Sequence, residues 1–320
     1  MVRNLIGETV LVTGGAGFIG SHIFEHLMDL NANVRILDDL SNGSRAHLRE
    51  RRNRAQFHFI SGDIRDAKSV GEATKRVSVV FHEAAKVSVP ASIIYPVTVM
   101  DVNVMGTSIL LDACRRNDVE KIVIASSSSV YGNTPFLPKT ETMQTVPISP
   151  YGVSKLAQEK MGFAFYSTYG MDVTSLRYFN VYGPRQRSGS YAGVMALFIK
   201  SAHEGKPLKI EGDGFQTRDF TYVEDVVKCN ILAATTEKAK GGIYNVGSGS
   251  RISIYDLAET IIDMMGSSSE IIHTPARDGD IRDSIAGLDS AAKDLGYRPE
   301  YTLNKGLPPT IEWTVEHLDH

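Results

Sequence analysis

The stretch Val10-Leu11-Val12-Thr13-Gly14-Gly15-Ala16-Gly17-Phe18-Ile19-Gly20 constrains this chain more than any other. An apolar run of strand length enters a glycine-rich turn, and an apolar helix start follows. Gly15, Gly17 and Gly20 fit G-x-G-x-x-G, while Gly14, Gly17 and Gly20 fit the G-x-x-G-x-x-G variant. Both spacings answer one demand. The backbone must turn tightly, approach a pyrophosphate with no Cβ in the way, and pack a helix closely on a strand. The helix N-terminus then offers N–H groups and the positive end of its dipole to the phosphates.

A second strand, Val34-Arg35-Ile36-Leu37, ends on Asp38. That position, about twenty residues past the glycines, suits a carboxylate accepting hydrogen bonds from a ribose hydroxyl pair. It would repel a 2′-phosphate, which favours NAD over NADP, although Arg35 and Arg45 are cations close by. Further β-branched runs occur at 56–60, 77–81, 121–125 and 173–177, separated by segments of helix length. This alternation predicts βαβ units, hence an α/β, Rossmann-type doubly wound parallel sheet with ligands beyond the carboxyl ends of its strands. Regularity falls off after Gly183. A polar loop at 184–190 precedes a helix near 195–203, a short strand near 208–210, a sheet strand at 242–246 and a helix capped by Ser253 that runs through Met265. The chain therefore divides into a dinucleotide-binding domain, 1–182 with about 222–249, and a smaller, discontinuous C-terminal domain, 183–221 and 250–320.

The net charge of −3 holds no general attraction for polyanions, so nucleic acid is not an expected partner. Cys114 and Cys229 form no C-x-x-C and no metal spacing, as in a reducing compartment. The start of the chain lacks a signal-peptide pattern and no apolar run reads as long enough for a bilayer, so a cytoplasmic chain without a membrane partner is expected. His22 and His26 stand at i and i+4 but not in His-Glu-x-x-His, and no metal is expected. Two long helices, 97 to about 117 and 151 to about 169, carry more apolar residues than one stripe requires. Met105, Ile109 and Leu110 lie in one, and Phe163, Phe165 and Tyr166 in the other. They read either as a well-covered core or as a helix-pair interface in a homodimer.

The chemistry gathers in Ser149-Pro150-Tyr151-Gly152-Val153-Ser154-Lys155, a helix start with Ser149 as N-cap. Tyr151 and Lys155 share a helix face. An ammonium beside a phenol favours the phenolate and lowers the tyrosine pKa, and a bound, positively charged nicotinamide would lower it further, making Tyr151 a general base near neutral pH. Ser126-Ser127-Ser128-Ser129 follows a strand end, where small hydroxyls can bond a substrate alcohol.

Several motifs occur together in one register from residue 8 to about 300: Thr-Gly-Gly-x-Gly-Phe-Ile-Gly-Ser-His at 13–22, Gly62-Asp63-Ile64, Ser-Ser-Ser-Val-Tyr-Gly at 127–132, Ser-Pro-Tyr-x-x-Ser-Lys at 149–155, Arg-Tyr-Phe-Asn at 177–180, Gly-Asp-Gly-x-x-x-Arg-Asp-Phe at 212–220 and Arg-Asp-Gly-Asp-Ile-Arg at 277–282. Their combination resembles the extended short-chain dehydrogenase/reductases of the nucleotide-sugar epimerase group, of the UDP-glucose and UDP-N-acetylglucosamine 4-epimerase type. The resemblance implies NAD as a retained cofactor and a UDP-sugar as substrate. It implies that Gly14, Gly17, Phe18, Ile19 and Gly20 hold the pyrophosphate, Asp38 the adenosine ribose with Asn42 nearby, and Asp63 and Ile64 the adenine. Ala84, Asn103, Tyr151, Lys155 and Tyr178 would line the nicotinamide side. Ser127 would assist Tyr151. Ser88, Ser127, Ser128, Asn180, Val194, Arg218, Arg277 and Ser284 would meet the substrate, with Asn180, Arg218 and Arg277 at its diphosphate. Ser284 would be a gate small enough to admit an N-acetyl group.

Within the same group, 4,6-dehydratases carry Thr-Asp-Glu at the serine cluster, and decarboxylases typically carry a Glu just before Val-Tyr-Gly. The serines at 127–129 favour epimerisation at the sugar C4 through a 4-keto intermediate. A UDP-glucuronic acid 4-epimerase stays open as an alternative. A non-catalytic NAD-binding module usually loses the tyrosine or the lysine, and both are present here. Lys86 stands where these enzymes usually have an uncharged residue; it could approach the cofactor or face solvent.

Overall fold

The computed structural model describes residues 3–48, 55–186, 193–276 and 281–318. Its first half alternates strands and helices: β1 (Thr9–Thr13), α1 (Phe18–Asp29), β2 (Asn33–Asp38), β3 (Phe57–Ser61), α2 (Ala67–Thr74), β4 (Val79–His82), α3 (Val89–Ile94) and α4 (Pro96–Met100). From α4 the chain passes through a π-helical turn, Asp101–Met105, into α5 (Gly106–Arg116), then β5 (Lys121–Ser127), α6 (Pro150–Tyr169) and β6 (Asp172–Tyr178). The second half is less regular. It holds β7 (Asn180–Tyr182), α7 (Val194–His203), β8 (Leu208–Glu211), β9 (Thr217–Arg218), β10 (Phe220–Tyr222), α8 (Val223–Thr235), β11 (Ile243–Val246), β12 (Ile252–Ser253), α9 (Ile254–Met265), β13 (Ile271–Thr274), α10 (Asp289–Leu295) and α11 (Leu303–Glu316).

Seven strands form one parallel sheet in the order β11-β6-β5-β4-β1-β2-β3. Strand order runs outward from β1 toward β3 on one side and from β4 toward β11 on the other. The reversal between β1 and β4 opens the crevice in which such sheets bind ligands. Burial on both faces explains the near-continuous apolar runs. Side chains alternate along β1: Val10 and Val12 join Ile23, Phe24 and Val226 on one face, and Leu11 joins Leu110, Leu111 and Ile122 on the other. A third cluster, including Tyr182, Phe198, Ile199, Leu257 and Leu307, gathers the second-half elements, and Phe18 and Ile19 at the start of α1 pack against it.

The expected Rossmann-type sheet is present, with strand ends shifted by one or two residues. The two-stranded pairs β7·β10, β9·β12 and β8·β13 had no counterpart in the sequence reading apart from β8. The expectation that no apolar run reaches bilayer length needs correction. Pro96–Arg116 spans 21 residues at a mean hydropathy of 1.3, long and apolar enough by those measures to cross a membrane. It is only partly buried, and polar contacts tie it into the fold. It packs on α2 and α6, buries Asn103 and Thr107 in a polar network, and pairs Asp101 with Arg65 and Asp112 with Arg115 and Arg116.

Candidate active site

The glycine turn is built for close approach. Gly14 has φ +67°, and a Cβ there would lie 2.7 Å from the Ala84 nitrogen. A Cβ on Gly20 would lie 2.3 Å from the Gly14 carbonyl oxygen. Gly17 begins α1 with no side-chain cap, so the first-turn N–H groups remain for an anion. Asp38 ties this turn down: its carboxylate accepts from the Ala16 N–H at 2.9 Å and the Leu40 N–H at 2.7 Å. Burial raises its pKa, and those two backbone bonds oppose the rise. The neighbouring cations are engaged elsewhere. Arg35 donates to the Ala73 and Lys75 carbonyls at 2.6 and 2.9 Å, and Arg45 lies over the Phe59 ring at 4.5 Å. The donor set and the Cβ-free cradle fit a dinucleotide. Asn42 is exposed on the loop beyond Asp38. Asp63 is clasped by Arg65, whose hydrogen bonds lower its pKa, and Ile64 is buried against Gly106.

A buried polar chain joins this turn to the helices that follow. Thr13 Oγ1 bonds His82 Nδ1 at 2.7 Å, and His82 Nε2 bonds Thr107 Oγ1 at 2.8 Å. Thr107 gives its one hydroxyl proton to the Asn103 carbonyl at 2.6 Å, so it must accept from His82. This assigns the neutral Nε2–H tautomer to His82. Burial, with the charge of Lys155, holds that imidazole down to about 3. Asn103 sits in the π-helical turn and is fully buried. Its amide accepts from the Lys86 N–H at 2.8 Å and donates to the Lys86 carbonyl at 3.0 Å and to Ser154 Oγ at 2.9 Å. Those bonds tie the loop after β4 to the π-helical turn and to α6. Lys86 itself reaches across to Ser41 Oγ at 3.1 Å.

Ser149 caps α6, accepting from the Gly152 N–H at 3.1 Å. The helix thereby brings Tyr151 and Lys155 beside the end of β5. Lys155 Nζ donates to the Ala125 carbonyl at 2.8 Å and lies 6.0 Å from the Tyr151 ring centre, and the Ser127 hydroxyl favours the Tyr151 phenolate. Ser127 ends β5 and also accepts from the Ser129 N–H at 3.2 Å; Ser128 begins the 3-10 turn that follows. The expected lowering of the tyrosine pKa by Lys155 is not what this environment produces. Burial pushes Tyr151 up to about 12, with the charge of Glu83 adding to the rise and the Ser127 bond opposing it. Burial likewise brings Lys155 down to about 8, opposed by Glu83 and Glu159. The ammonium is aimed at a backbone carbonyl, and burial is the largest influence on the phenol.

Other assigned residues divide into those near this centre and those on the second-half elements. Ala84 packs against Gly14, and Tyr178 ends β6 beside Ser127 in register, with its hydroxyl donating to Glu83 Oε1 at 2.8 Å. Ser88 caps α3 through the Ala91 N–H at 3.1 Å. Asn180 begins β7 and Val194 begins α7. Arg218 donates to the Thr217 and Arg282 carbonyls at 2.9 and 3.2 Å. Ser284 is buried, its N–H bonded to the Thr217 carbonyl at 3.2 Å. Arg277 lies outside the described residues. His22 bonds the Pro184 carbonyl at 3.0 Å and faces Glu224 at 3.4 Å, a structural use of one half of the i, i+4 histidine pair.

Three acids escaped the sequence reading. Glu159 receives a bidentate ion pair from Arg177, at 2.9 and 2.7 Å, and Arg177 also donates to the Tyr131 hydroxyl at 2.9 Å. Asp219 accepts from Ser248 N–H and Oγ, both at 2.7 Å, and from the Gly249 and Ala286 N–H groups, both at 3.0 Å. Glu83 follows β4 directly at the crevice. Arg177 and Asp219 lie inside quoted motifs, so their positions were visible although their partners were not.

The profile of the NAD dependent epimerase/dehydratase family matches residues 10–247. The chain belongs to that family. It is an extended short-chain dehydrogenase/reductase of the nucleotide-sugar 4-epimerase group, and its cofactor is NAD. A UDP-glucose 4-epimerase of Mycolicibacterium smegmatis is 39% identical over 306 residues, covering 95% of this chain and 97% of the relative. The Thermus thermophilus UDP-glucose 4-epimerase, solved in complex with NAD, superposes with a TM-score of 0.88 at 35% identity, covering 97% of this chain and 99% of that one. The UDP-N-acetylglucosamine 4-epimerase of Methanobrevibacter ruminantium, solved with UDP-N-acetylmuramic acid, superposes at 0.92 with 36% identity and covers 97% and 99%. The family is not uniform in chemistry. A UDP-N-acetyl-alpha-D-glucosaminuronate decarboxylase of Bacillus cytotoxicus is 35% identical, covering 96% of this chain and 97% of the relative.

Proposed function

We propose that this protein interconverts UDP-glucose and UDP-galactose, and accepts the N-acetylated pair, by redox-neutral epimerisation at the sugar C4. The observation that carries this is the grouping of Tyr151, Ser127 and Lys155 at the end of β5, with only serines at 127–129. An acid there would be needed for elimination. NAD supplies a reversible hydride acceptor. Tyr151 removes the O4 proton, helped by the Ser127 hydroxyl, and returns it when the carbonyl is reduced again from the opposite face. Lys155, fixed by the Ala125 carbonyl, orients the nicotinamide ribose. Gly14, Gly17 and Gly20 admit the pyrophosphate of NAD. Asn180, Arg218 and Arg277 tether the UDP diphosphate while the sugar turns, which suits guanidinium forks. Residues 1–182 with about 222–249 form the cofactor domain in this reading, and 183–221 with 250–320 the nucleotide-sugar domain, in a cytoplasmic enzyme. Incubating the purified protein with UDP-glucose, UDP-N-acetylglucosamine and UDP-glucuronic acid, and resolving the epimers by chromatography, tests the assignment. Turnover of the glucuronate alone would replace it with the UDP-glucuronic acid 4-epimerase reading.

Ser284 is the proposed gate. The pocket wall is swept by the C2 substituent as the sugar turns, and a tyrosine there would fill the volume an acetamido group needs. Ser284→Tyr is expected to lower kcat/KM for UDP-N-acetylglucosamine by about tenfold or more while sparing UDP-glucose. Equal loss on both substrates would remove Ser284 from the gate.

The homodimer is proposed on the face shared by α3, α4 and α6. Leu110 is core, and Ile109 and Phe165 pack on it, so those three do not count toward an interface. Ile93, Ile94, Val97, Met105 and Phe163 do: each is more than half exposed, Val97 by 79%. Because α3 and α4 pack on α6, these side chains lie on neighbouring helices. Light scattering is expected to give twice the 35.1 kDa chain mass at micromolar concentration; a monomer would overturn the interface.

A further inference from the structure

Glu83 is an acid that the proposed reaction does not use. It directly follows β4, at the reversal point of the sheet, and its N–H bonds the Thr13 carbonyl at 3.1 Å. It lies beside the glycine turn: a Cβ on Gly14 would come within 2.9 Å of the Glu83 carbonyl carbon. Its carboxylate accepts from the Tyr178 hydroxyl at 2.8 Å, and Tyr178 is held in turn by Asn230 of α8 at 2.8 Å. The charge of Glu83 reaches both Tyr151 and Lys155, raising each. A carboxyl group, charged above about pH 7, is thus fixed beside Tyr178, Tyr151 and Lys155, where the proton-transfer groups require the nicotinamide ring to lie.

The two oxidation states of that ring differ by one positive charge. We propose that Glu83 sets the oxidation-state preference of the bound cofactor, stabilising the cationic oxidised ring over the neutral reduced one. For an enzyme that retains its cofactor, this would return every cycle to the oxidised resting state and disfavour stranding in the reduced form. That benefit rests on the redox-neutral reading above, but the binding preference itself does not.

The groups facing Glu83 are Tyr178 from β6, Asn230 from α8, and Tyr151 and Lys155 from α6. Burial raises Glu83 to about 7, with the Tyr178 bond and Lys155 opposing. Tyr151 at about 12 and Lys155 at about 8 titrate above it. Neutralising Glu83 by protonation should therefore weaken the preference as pH falls through about 7.

The test needs no sugar. The full-length protein is equilibrated with an equimolar mixture of NAD+ and NADH, freed of unbound nucleotide by gel filtration, and the two bound forms are quantified by separate extraction. Wild type is expected to hold mainly NAD+. Glu83→Gln, which keeps a partner for Tyr178, is expected to shift the bound ratio roughly tenfold toward NADH. A merely structural Glu83 would weaken both forms together and leave the ratio unmoved, which overturns the proposal. Should Glu83→Gln fail to fold, the wild-type ratio between about pH 6 and 7.5 decides: it must rise toward NAD+ with pH, and a flat ratio overturns the proposal. Loss of the epimerase reading would leave this ratio untouched, so the two failures are distinguishable.

Discussion

Tyr151→Phe turns over UDP-sugar about 10²–10⁴-fold more slowly than wild type, with its NAD content and melting temperature unchanged. The substitution deletes one oxygen from a side chain whose ring stays packed at the start of α6. It removes the phenol oxygen beside Ser127 on the helix face that Lys155 shares. The phenol at about 12 is protonated at neutral pH, so its deprotonation has to be drawn by events at the site. Steady-state turnover with bound-nucleotide analysis checks this. Near-wild-type turnover in the variant would reject Tyr151 as the acid–base group.

Glu159→Gln costs about 3–5 kcal/mol of stability, the largest effect expected from a single change away from the crevice. Arg177 is 3% exposed and Glu159 fully buried, and their bidentate pair also receives the Ser126 hydroxyl. Removing the carboxylate charge leaves the guanidinium desolvated with only neutral acceptors such as the Tyr131 hydroxyl. Urea unfolding followed by circular dichroism measures the loss, and a change under about 1 kcal/mol would show the pair to be energetically idle. Replacing both partners, as Glu159→Leu with Arg177→Met, is expected to recover much of the loss, because no unpaired charge remains.

How much was legible in the sequence depended on whether a residue's partners were local. The glycine turn, the capping Ser149 and the face shared by Tyr151 and Lys155 are set by spacings of a few residues, and the fold places them as expected. The central sheet strands were visible because burial on both faces leaves runs of Val, Ile and Leu; the edge strand β3 carries Phe and Ile that are only partly buried. β9 and β12 have two residues each, too few to carry a period. The π-helical turn at Asn103 carries an amide whose partners, Lys86 and Ser154, are distant in sequence. That the protein's own groups raise the Tyr151 pKa was hidden for a related reason. The i, i+4 spacing shows that an ammonium is near, but not that the Ala125 carbonyl claims it or that burial dominates.

Asp219 has a consequence for anyone who would re-engineer this pocket. One carboxylate gathers Ser248 and Gly249 after β11 and Ala286 beyond Ser284, while its own carbonyl accepts from Asn180. Four stretches of chain, far apart in sequence, are thereby stitched into a single rim. Swapping one stretch for that of a relative would leave it seated against a foreign set of partners, whereas transplanting the stretches together with the aspartate preserves the stitch. The unit of inheritance for a pocket wall of this kind is the rim, not the loop.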